Sequence, residues 1–145
     1  MIRRAVIAAA PLALFAAGAR ASEPKPERPS GQYVDLSPVA LPIVVDGKVV
    51  NYVFVYARVN LSASADLQKL RTKEPFFRDA LVRAGHRTPF TDPHDYFRVD
   101  EVKLKAAFLR EAQAIGGSRD VVSVSVESQT PKRRTGIPKP PGARS

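Results

Sequence analysis

Apolar and polar residues alternate with a period of two in the first half of the chain, which is typical of β-strands. Leu41–Val45 and Val49–Leu61 are rich in β-branched and aromatic residues and are joined by Asp46-Gly47, a pair that favours a tight hairpin turn. Tyr33–Leu36, just before them, predicts a further short strand. This half of the chain therefore predicts three strands, two of them in a hairpin.

The two faces of the long strand Val49–Leu61 differ in character. One face is aliphatic, with Val49, Val53, Val55, Val59 and Leu61. The other face carries Tyr52, Phe54, Tyr56, Arg58 and Asn60. Because side chains alternate across a strand, the aliphatic face is expected to lie on the core. The aromatic face is then either covered by another part of the protein or used as a contact surface.

Helical spacing replaces the strand pattern after residue 65. Apolar residues recur at this spacing at Leu67, Leu70, Phe77, Leu81 and Ala84. Pro75 interrupts the stripe, since it has no N–H to donate to the carbonyl of Arg71. The pattern predicts either a kinked helix or two helices, Ala65–Lys73 and Pro75–Ala84, with Gly85 as the stop.

A further helix is predicted from Asp100 onward. Asp100 suits the N-cap position, and Glu101 follows in the first turn, where the helix dipole favours negative charge. Val99 and Leu104 occupy the positions of a hydrophobic staple. The buried stripe is expected to comprise Leu104, Phe108, Ala112 and Ile115, with Gly116-Gly117 ending the helix.

A closing strand is predicted at Asp120–Glu127. The side chains expected to face inward are Val122, Val124 and Val126, with Ser123 and Ser125 facing outward. A strand with one buried face and one solvent-exposed face suits an antiparallel sheet. Together these patterns predict an α+β domain, with a small antiparallel sheet, helices packed on one face, and the order β-β-β-α-α-β.

The first residues have the three parts of a signal peptide. A positive start is followed by the apolar run Ala5–Gly18, and the small residues Ala19 and Ala21 precede a cleavage site at Ser22. Removal of residues 1–21 predicts a periplasmic or secreted protein. An uncleaved membrane anchor is the alternative, although the apolar run is shorter than the ~20 residues that span a bilayer. The pair Arg3-Arg4 leaves both the general secretory and the twin-arginine routes open.

Composition divides the remaining chain into three parts. Residues 22–31 form a proline-rich spacer, residues 32–129 a single domain, and residues 130–145 a basic, proline-rich tail. The tail has one large apolar residue, Ile137, so it is predicted to be disordered. Of the net charge of +9, three charges lie in the signal peptide and five in the tail, which leaves the domain nearly neutral. The absence of cysteine excludes disulfides, thiolate metal sites and cysteine nucleophiles.

The tail supplies the candidate interaction residues Lys132, Arg133, Arg134 and Lys139. These residues could bind an anionic partner such as membrane headgroups or cell-wall polymer. The tail has no aromatic residue to stack on a base, and the protein is expected outside the cytoplasm, so no nucleic-acid partner is predicted. The alternative is a disordered end that only keeps the protein soluble.

The histidines are His86 and His94, and His94 lies between Asp92 and Asp95. Imidazole and carboxylates are ordinary metal ligands, which leaves a small metal-dependent enzyme as one hypothesis. The spacing matches no established site, however, and the same residue types are common in turns. The chain also has no nucleophile-elbow motif. We therefore predict a protein that is not an enzyme, with no catalytic, cofactor-binding or metal-binding residues.

Four segments in order carry a family resemblance. The first reads YVDLSPVALPIVVDGKVVNYVFVYARVNL, two helical segments read LQKLRTKEPFFRDALV and DEVKLKAAFLREAQAI, and the last strand ends in VESQ at Gln129. From Tyr33 to Gln129 the chain resembles the periplasmic domain of the FliL family of flagellar basal-body-associated proteins. The resemblance implies a fold related to stomatin-type (SPFH) domains and a role in assembly around the flagellar stator.

The resemblance also implies the partners: other envelope proteins, among them the stator or basal body, and copies of the chain itself in a ring. The chain departs from the family in its cleaved N-terminus and its added basic tail, so a soluble relative with a different task is an open alternative. We therefore expect an exported, non-catalytic envelope protein that binds or scaffolds other proteins. A tether to an anionic surface through the tail is the main alternative.

Overall fold

The computed structural model of the chain describes residues 31–143. The expected signal peptide, with its cleavage residues Ala19, Ala21 and Ser22, lies outside the described residues, as does all but the last residue of the spacer. The elements in chain order are β1 (Tyr33–Asp35), β2 (Val39–Val45), β3 (Lys48–Leu61), α1 (Leu67–Arg71), α2 (Glu74–Arg87), β4 (Thr91–Asp92), β5 (Asp95–Val99), α3 (Glu101–Gly116) and β6 (Val121–Pro131). The predicted α+β class and element order are confirmed, with the short hairpin β4–β5 as an addition.

The long strand β3 is the centre of an antiparallel sheet. One edge of β3 pairs with β2 and then with β1, and the other edge pairs with β6. The predicted turn between β2 and β3 is confirmed, because Asp46 and Gly47 both adopt positive φ angles, of 50° and 73°. This combination matches the right-handed twist of the two strands it joins.

The core lies between one face of the sheet and the helices. As predicted, the buried side chains of β3 include Val53, Val55, Val59 and Leu61. The prediction is wrong for Val49, whose exposed fraction is 51%. Ile43 pairs with Asn51 and Val44 pairs with Val49, so Val50 is an extra residue in β3. Such a bulge inverts the alternation of faces, which removes Val49 from the core side.

A second bulge changes the face of the closing strand. Leu61 pairs with Val121 and Asn60 with Ser123, so Val122 has no partner on β3. Val121 is therefore buried, whereas Val122, predicted to face inward, is 52% exposed. Of the other two predicted valines, Val124 is buried and Val126 is half-buried.

The helix boundary predicted at Pro75 is confirmed. Helix α2 begins at Glu74, with Pro75 in its first turn, where a missing N–H leaves no hydrogen bond unmade. Gly85 does not stop the helix, which runs on to Arg87. Instead Gly85 is a close-packing point, because a Cβ atom at this position would lie 2.7 Å from Cδ2 of Leu41 on β2.

Helix α3 follows the predicted pattern closely. The Asp100 carboxylate accepts a hydrogen bond of 3.1 Å from the Lys103 backbone N–H, which caps the helix. The fully buried side chains of the helix are Leu104, Phe108 and Ala112, and Ile115 is half-buried. Gly117 follows the last turn with a φ of 94°.

The chain beyond Gln129 stays in contact with the domain. Strand β6 continues to Pro131, four residues past the predicted end at Glu127, and the Lys132 backbone N–H donates to the Tyr52 carbonyl at 2.8 Å. Ile137 is half-buried and packs on the core. Among residues 31–143, no helix is long and apolar enough to cross a membrane.

Candidate functional site: an open aromatic face and a basic corner

The face of the sheet opposite the helices carries a group of uncovered rings. We call Tyr33, Tyr52, Phe54, Tyr56 and Arg58 the aromatic face. Tyr33, Phe54 and Tyr56 are 42%, 42% and 44% exposed, and Tyr52 and Arg58 are half-buried. From Tyr52 to Arg58, beyond the bulge at Val50, every second side chain of β3 leaves the core side, and Tyr33 lies on β1, which pairs with β3. Contiguous apolar surface of this kind marks interaction sites in soluble domains.

The residues beside these rings are too small to cover them. Phe54 pairs with Ala40 on β2 and with Thr130 on β6, and Tyr56 pairs with Ser128. Short side chains in these cross-strand positions leave the two ring faces accessible. The aromatic face is therefore a consequence of the residues on three strands, and not of β3 alone.

Arg58 holds one end of the aromatic face in place. Its Nε lies 2.6 Å from Oδ1 of Asp35, and its Nη1 lies 3.7 Å from Oε2 of Glu127. Its guanidinium carbon lies 3.9 Å from the centroid of the Tyr33 ring, which is the geometry of a cation–π contact. The hydrogen bond to Asp35 raises the pKa of Arg58 further above its ordinary value, against the opposing effect of burial. Arg58 is therefore a fixed positive charge.

A second feature lies where β6 ends, beside the β2–β3 hairpin. Asn51 is only 3% exposed, and its side-chain amide donates to the carbonyls of Tyr96 and Arg133, both at 3.2 Å. Its oxygen accepts from the backbone N–H groups of Arg133, at 3.1 Å, and Tyr52, at 2.9 Å. Asn51 thus pairs with the backbone of Arg133 in both directions, as a neighbouring strand would.

We call the two hydrogen bonds between the Asn51 side chain and the Arg133 backbone the Asn51 clasp. Arg133 is the middle one of three consecutive cations. We call Lys132, Arg133 and Arg134, together with Val49 and Tyr52, the basic corner. All three cations are exposed, and Lys132 Nζ lies 5.7 Å from the centroid of the Tyr52 ring. Val49, Tyr52, Lys132 and Arg133 line a cavity of about 210 Å³ with Asn51, whereas Arg134 lines a neighbouring groove that also contains Asp95, Glu101 and Glu127. Lys139, the fourth basic residue singled out from the sequence, is exposed further along the chain.

The histidines and aspartates of the metal hypothesis serve local structure. Asp92 Oδ1 accepts from the His94 N–H and Asp95 Oδ1 accepts from the Phe97 N–H, both at 2.8 Å, so the two carboxylates hold the turn between β4 and β5. His86 Nδ1 lies 2.9 Å from the Val82 carbonyl on α2. In the described part of the chain, no three His, Asp or Glu side chains come together as a metal site would require.

Two polar residues that matter here carry little signal in the sequence. Asn51 lies in a strand pattern, and nothing local indicates that it binds a segment 82 positions away. Gln129 enters only through the family resemblance, as the end of the last strand. Comparison with known proteins adds no identification, since no family model and no curated protein matches the chain.

Proposed function

We propose that this protein is exported and non-catalytic, and that it binds another envelope protein through the aromatic face. The observation that supports the proposal is a set of three uncovered rings on one face of the sheet: Phe54 and Tyr56, two positions apart on β3, and Tyr33, which lies beyond Arg58. Tyrosine and phenylalanine supply a large contact area with few rotatable bonds, so burying them against a partner costs little side-chain entropy. Residues of this type dominate binding energy in protein interfaces.

Preorganisation strengthens the case for a binding surface. Asp35 and the Tyr33 ring hold the Arg58 guanidinium beside the exposed rings, and β-sheet backbone holds the rings themselves. A partner would therefore meet side chains that are already ordered, which lowers the entropic cost of association. Arg58 is already paired with Asp35 and Glu127, so a basic group on the partner would complement this edge of the surface.

As the more specific form of the proposal, we infer a FliL-like accessory whose partner is a component of the flagellar stator or basal body. Its support is the order of sequence motifs from Tyr33 to Gln129. The order of strands and helices and the open sheet face are compatible with this role. A second copy of the chain is the alternative occupant of the same surface.

A site-specific photocrosslinker tests the proposal in living cells. We expect a crosslinker in place of Tyr56 to form a defined adduct, whereas one in place of Val102, which is 80% exposed on α3, forms none. An adduct with a stator or basal-body protein supports the specific form, and an adduct between two copies supports self-association. Equal, diffuse labelling from both positions would contradict a binding role for the aromatic face.

Protein purified from the same cells shows whether the signal peptide has been removed. N-terminal sequencing of the purified protein is expected to begin at Ser22. A chain that still begins at residue 1 or 2 would mean that the apolar segment is retained as an anchor.

A further inference from the structure

The basic corner is a built feature of the fold, and not a loose end of the chain. The buried amide of Asn51 makes four hydrogen bonds, two of them to the backbone of Arg133, and Lys132 continues the pairing with Tyr52. The side chains of residues 132–134 therefore start from fixed backbone positions. Asn51 therefore joins the basic segment to β3 and, through the Tyr96 carbonyl, to β5.

The three cations are also left without partners inside the domain. The ion pairs among residues 31–143 involve other basic residues: Arg58, Arg83, Arg98, Lys103 and Lys105. Within that range, Lys132, Arg133 and Arg134 form none. Lys132 and Arg133 at the cavity, and Arg134 in the neighbouring groove, are exposed positive charges, and such charges complement an anionic surface.

The apolar residues at the corner indicate which anionic surface. The bulge at Val50 leaves Val49 half exposed beside the cations, and the Tyr52 ring lies beneath Lys132. An exposed aliphatic residue, an amphipathic ring and several cations are the combination that binds the headgroup region of a membrane. A soluble polyanion would use the charges but would gain nothing from Val49.

We propose that the basic corner binds anionic phospholipid headgroups, so that the domain docks on a membrane surface beside the β2–β3 hairpin. The cavity of about 210 Å³ lined by Asn51, Tyr52, Lys132 and Arg133 is the place for a headgroup phosphate. This site adjoins the aromatic face at Tyr52, which the two surfaces share, but its cations lie outside that face. It remains on the protein whether or not the partner proposed above is correct.

Vesicle binding of the full chain tests the site. We expect binding to vesicles that are one-third phosphatidylglycerol in phosphatidylcholine, weakened by added salt, and none to phosphatidylcholine alone. Replacement of all three cations (K132Q, R133Q and R134Q) should weaken binding roughly a hundredfold, at about fivefold for each charge. The matched control is R71Q, R87Q and R110Q, which removes the same charge from exposed helix positions and should change binding less than about twofold.

A second pair of variants tests the apolar part. Val49→Ser should weaken vesicle binding several-fold, whereas Val122→Ser, at an equally exposed valine, should not. The proposal is overturned if the unaltered chain does not bind vesicles, or if the two triple variants lose the same amount of vesicle binding. It is also overturned if free glycerol phosphate releases the protein at concentrations similar to those of the lipid. Tighter binding to duplex DNA than to vesicles, with no effect of Val49→Ser, would also overturn it in favour of a general polyanion site.

Discussion

The Gln129 side chain accepts a hydrogen bond of 2.8 Å from the backbone N–H of Val99. Gln129 is on β6 and Val99 is the last residue of β5, one position before the cap of α3. The amide group of Gln129 also donates to Oε1 of Glu101 at 2.9 Å. One side chain therefore connects the sheet to the start of the longest helix.

Replacement of Gln129 by leucine is expected to destabilise the domain by about 1–3 kcal/mol, because the buried N–H of Val99 loses its acceptor. Urea unfolding measures the change. Thr130→Val, at the next and exposed position, is the control and should stay within about 0.5 kcal/mol. Equal effects of the two variants would show that the Gln129 bridge contributes nothing to stability.

Gly85→Ala is expected to destabilise the domain by about 1–3 kcal/mol, although alanine is the better helix former. The added methyl group would lie 2.7 Å from Cδ2 of the buried Leu41, so the leucine side chain or the helix would have to shift within the packed core. A double-mutant cycle checks the cause. In a Leu41→Ala background the Gly85→Ala change should cost nothing, and an unchanged cost would place the strain elsewhere.

Phe108→Ala is expected to cost about 3–5 kcal/mol, since Phe108 is fully buried on the stripe of α3. Phe76→Ala is the matched control, because Phe76 is 64% exposed on α2. Its effect should be within about 0.5 kcal/mol. Thermal or urea unfolding measures the change in the free energy of unfolding for each variant. Similar losses of stability in the two would mean that the buried and exposed faces of the helices are assigned wrongly.

Phe54→Thr should leave stability within about 1 kcal/mol, because Phe54 is on the uncovered side of the sheet and threonine suits a strand. Partner binding through the aromatic face should weaken at least about tenfold. Val122→Thr removes an exposed apolar side chain outside the aromatic face and serves as the control for affinity. A loss of folding in Phe54→Thr, seen by circular dichroism, would instead indicate that something covers this ring.

Asn51→Ala is expected to release the segment that begins at Arg133. The backbone N–H of Arg133 donates to the Asn51 side chain, so hydrogen exchange at Arg133 should be slow in the unaltered protein and fast in the variant. Exchange at buried Val55 on β3 should remain slow in both. Rapid exchange at Arg133 before the substitution would contradict the clasp.

Features determined by neighbouring residues were predictable from the sequence. The hairpin at Asp46-Gly47, the cap at Asp100 and the break at Pro75 each depend on backbone preferences within a few positions, and each is confirmed. The alternation of β3 also predicted Tyr52, Phe54, Tyr56 and Arg58 on one face, but Asn60, predicted beside them, is buried, and Tyr33 joins them from β1. Whether the aromatic face was covered was not predictable, since that depends on the small residues brought alongside by β2 and β6.

What could not be predicted arises from contacts between distant segments. The bulges at Val50 and Val122 appear only when two strands are paired, and they move Val49 and Val122 away from their expected faces. In the sequence, Gly85 suggests the end of a helix. Its role in close packing depends on Leu41, which is distant in sequence. The clasp by Asn51 likewise requires the end of β6 to reach the hairpin, and no local pattern indicates it.

The pairing of β6 with the central strand has a consequence for the order in which the chain can fold. The β2–β3 hairpin joins neighbours in sequence, whereas Leu61 meets Val121 only after a loop of about 60 residues has closed. Until the last strand is available, one edge of β3 has no partner and the hydrophobic core stays incomplete. The complete domain is therefore expected to form only after the last strand has been synthesised.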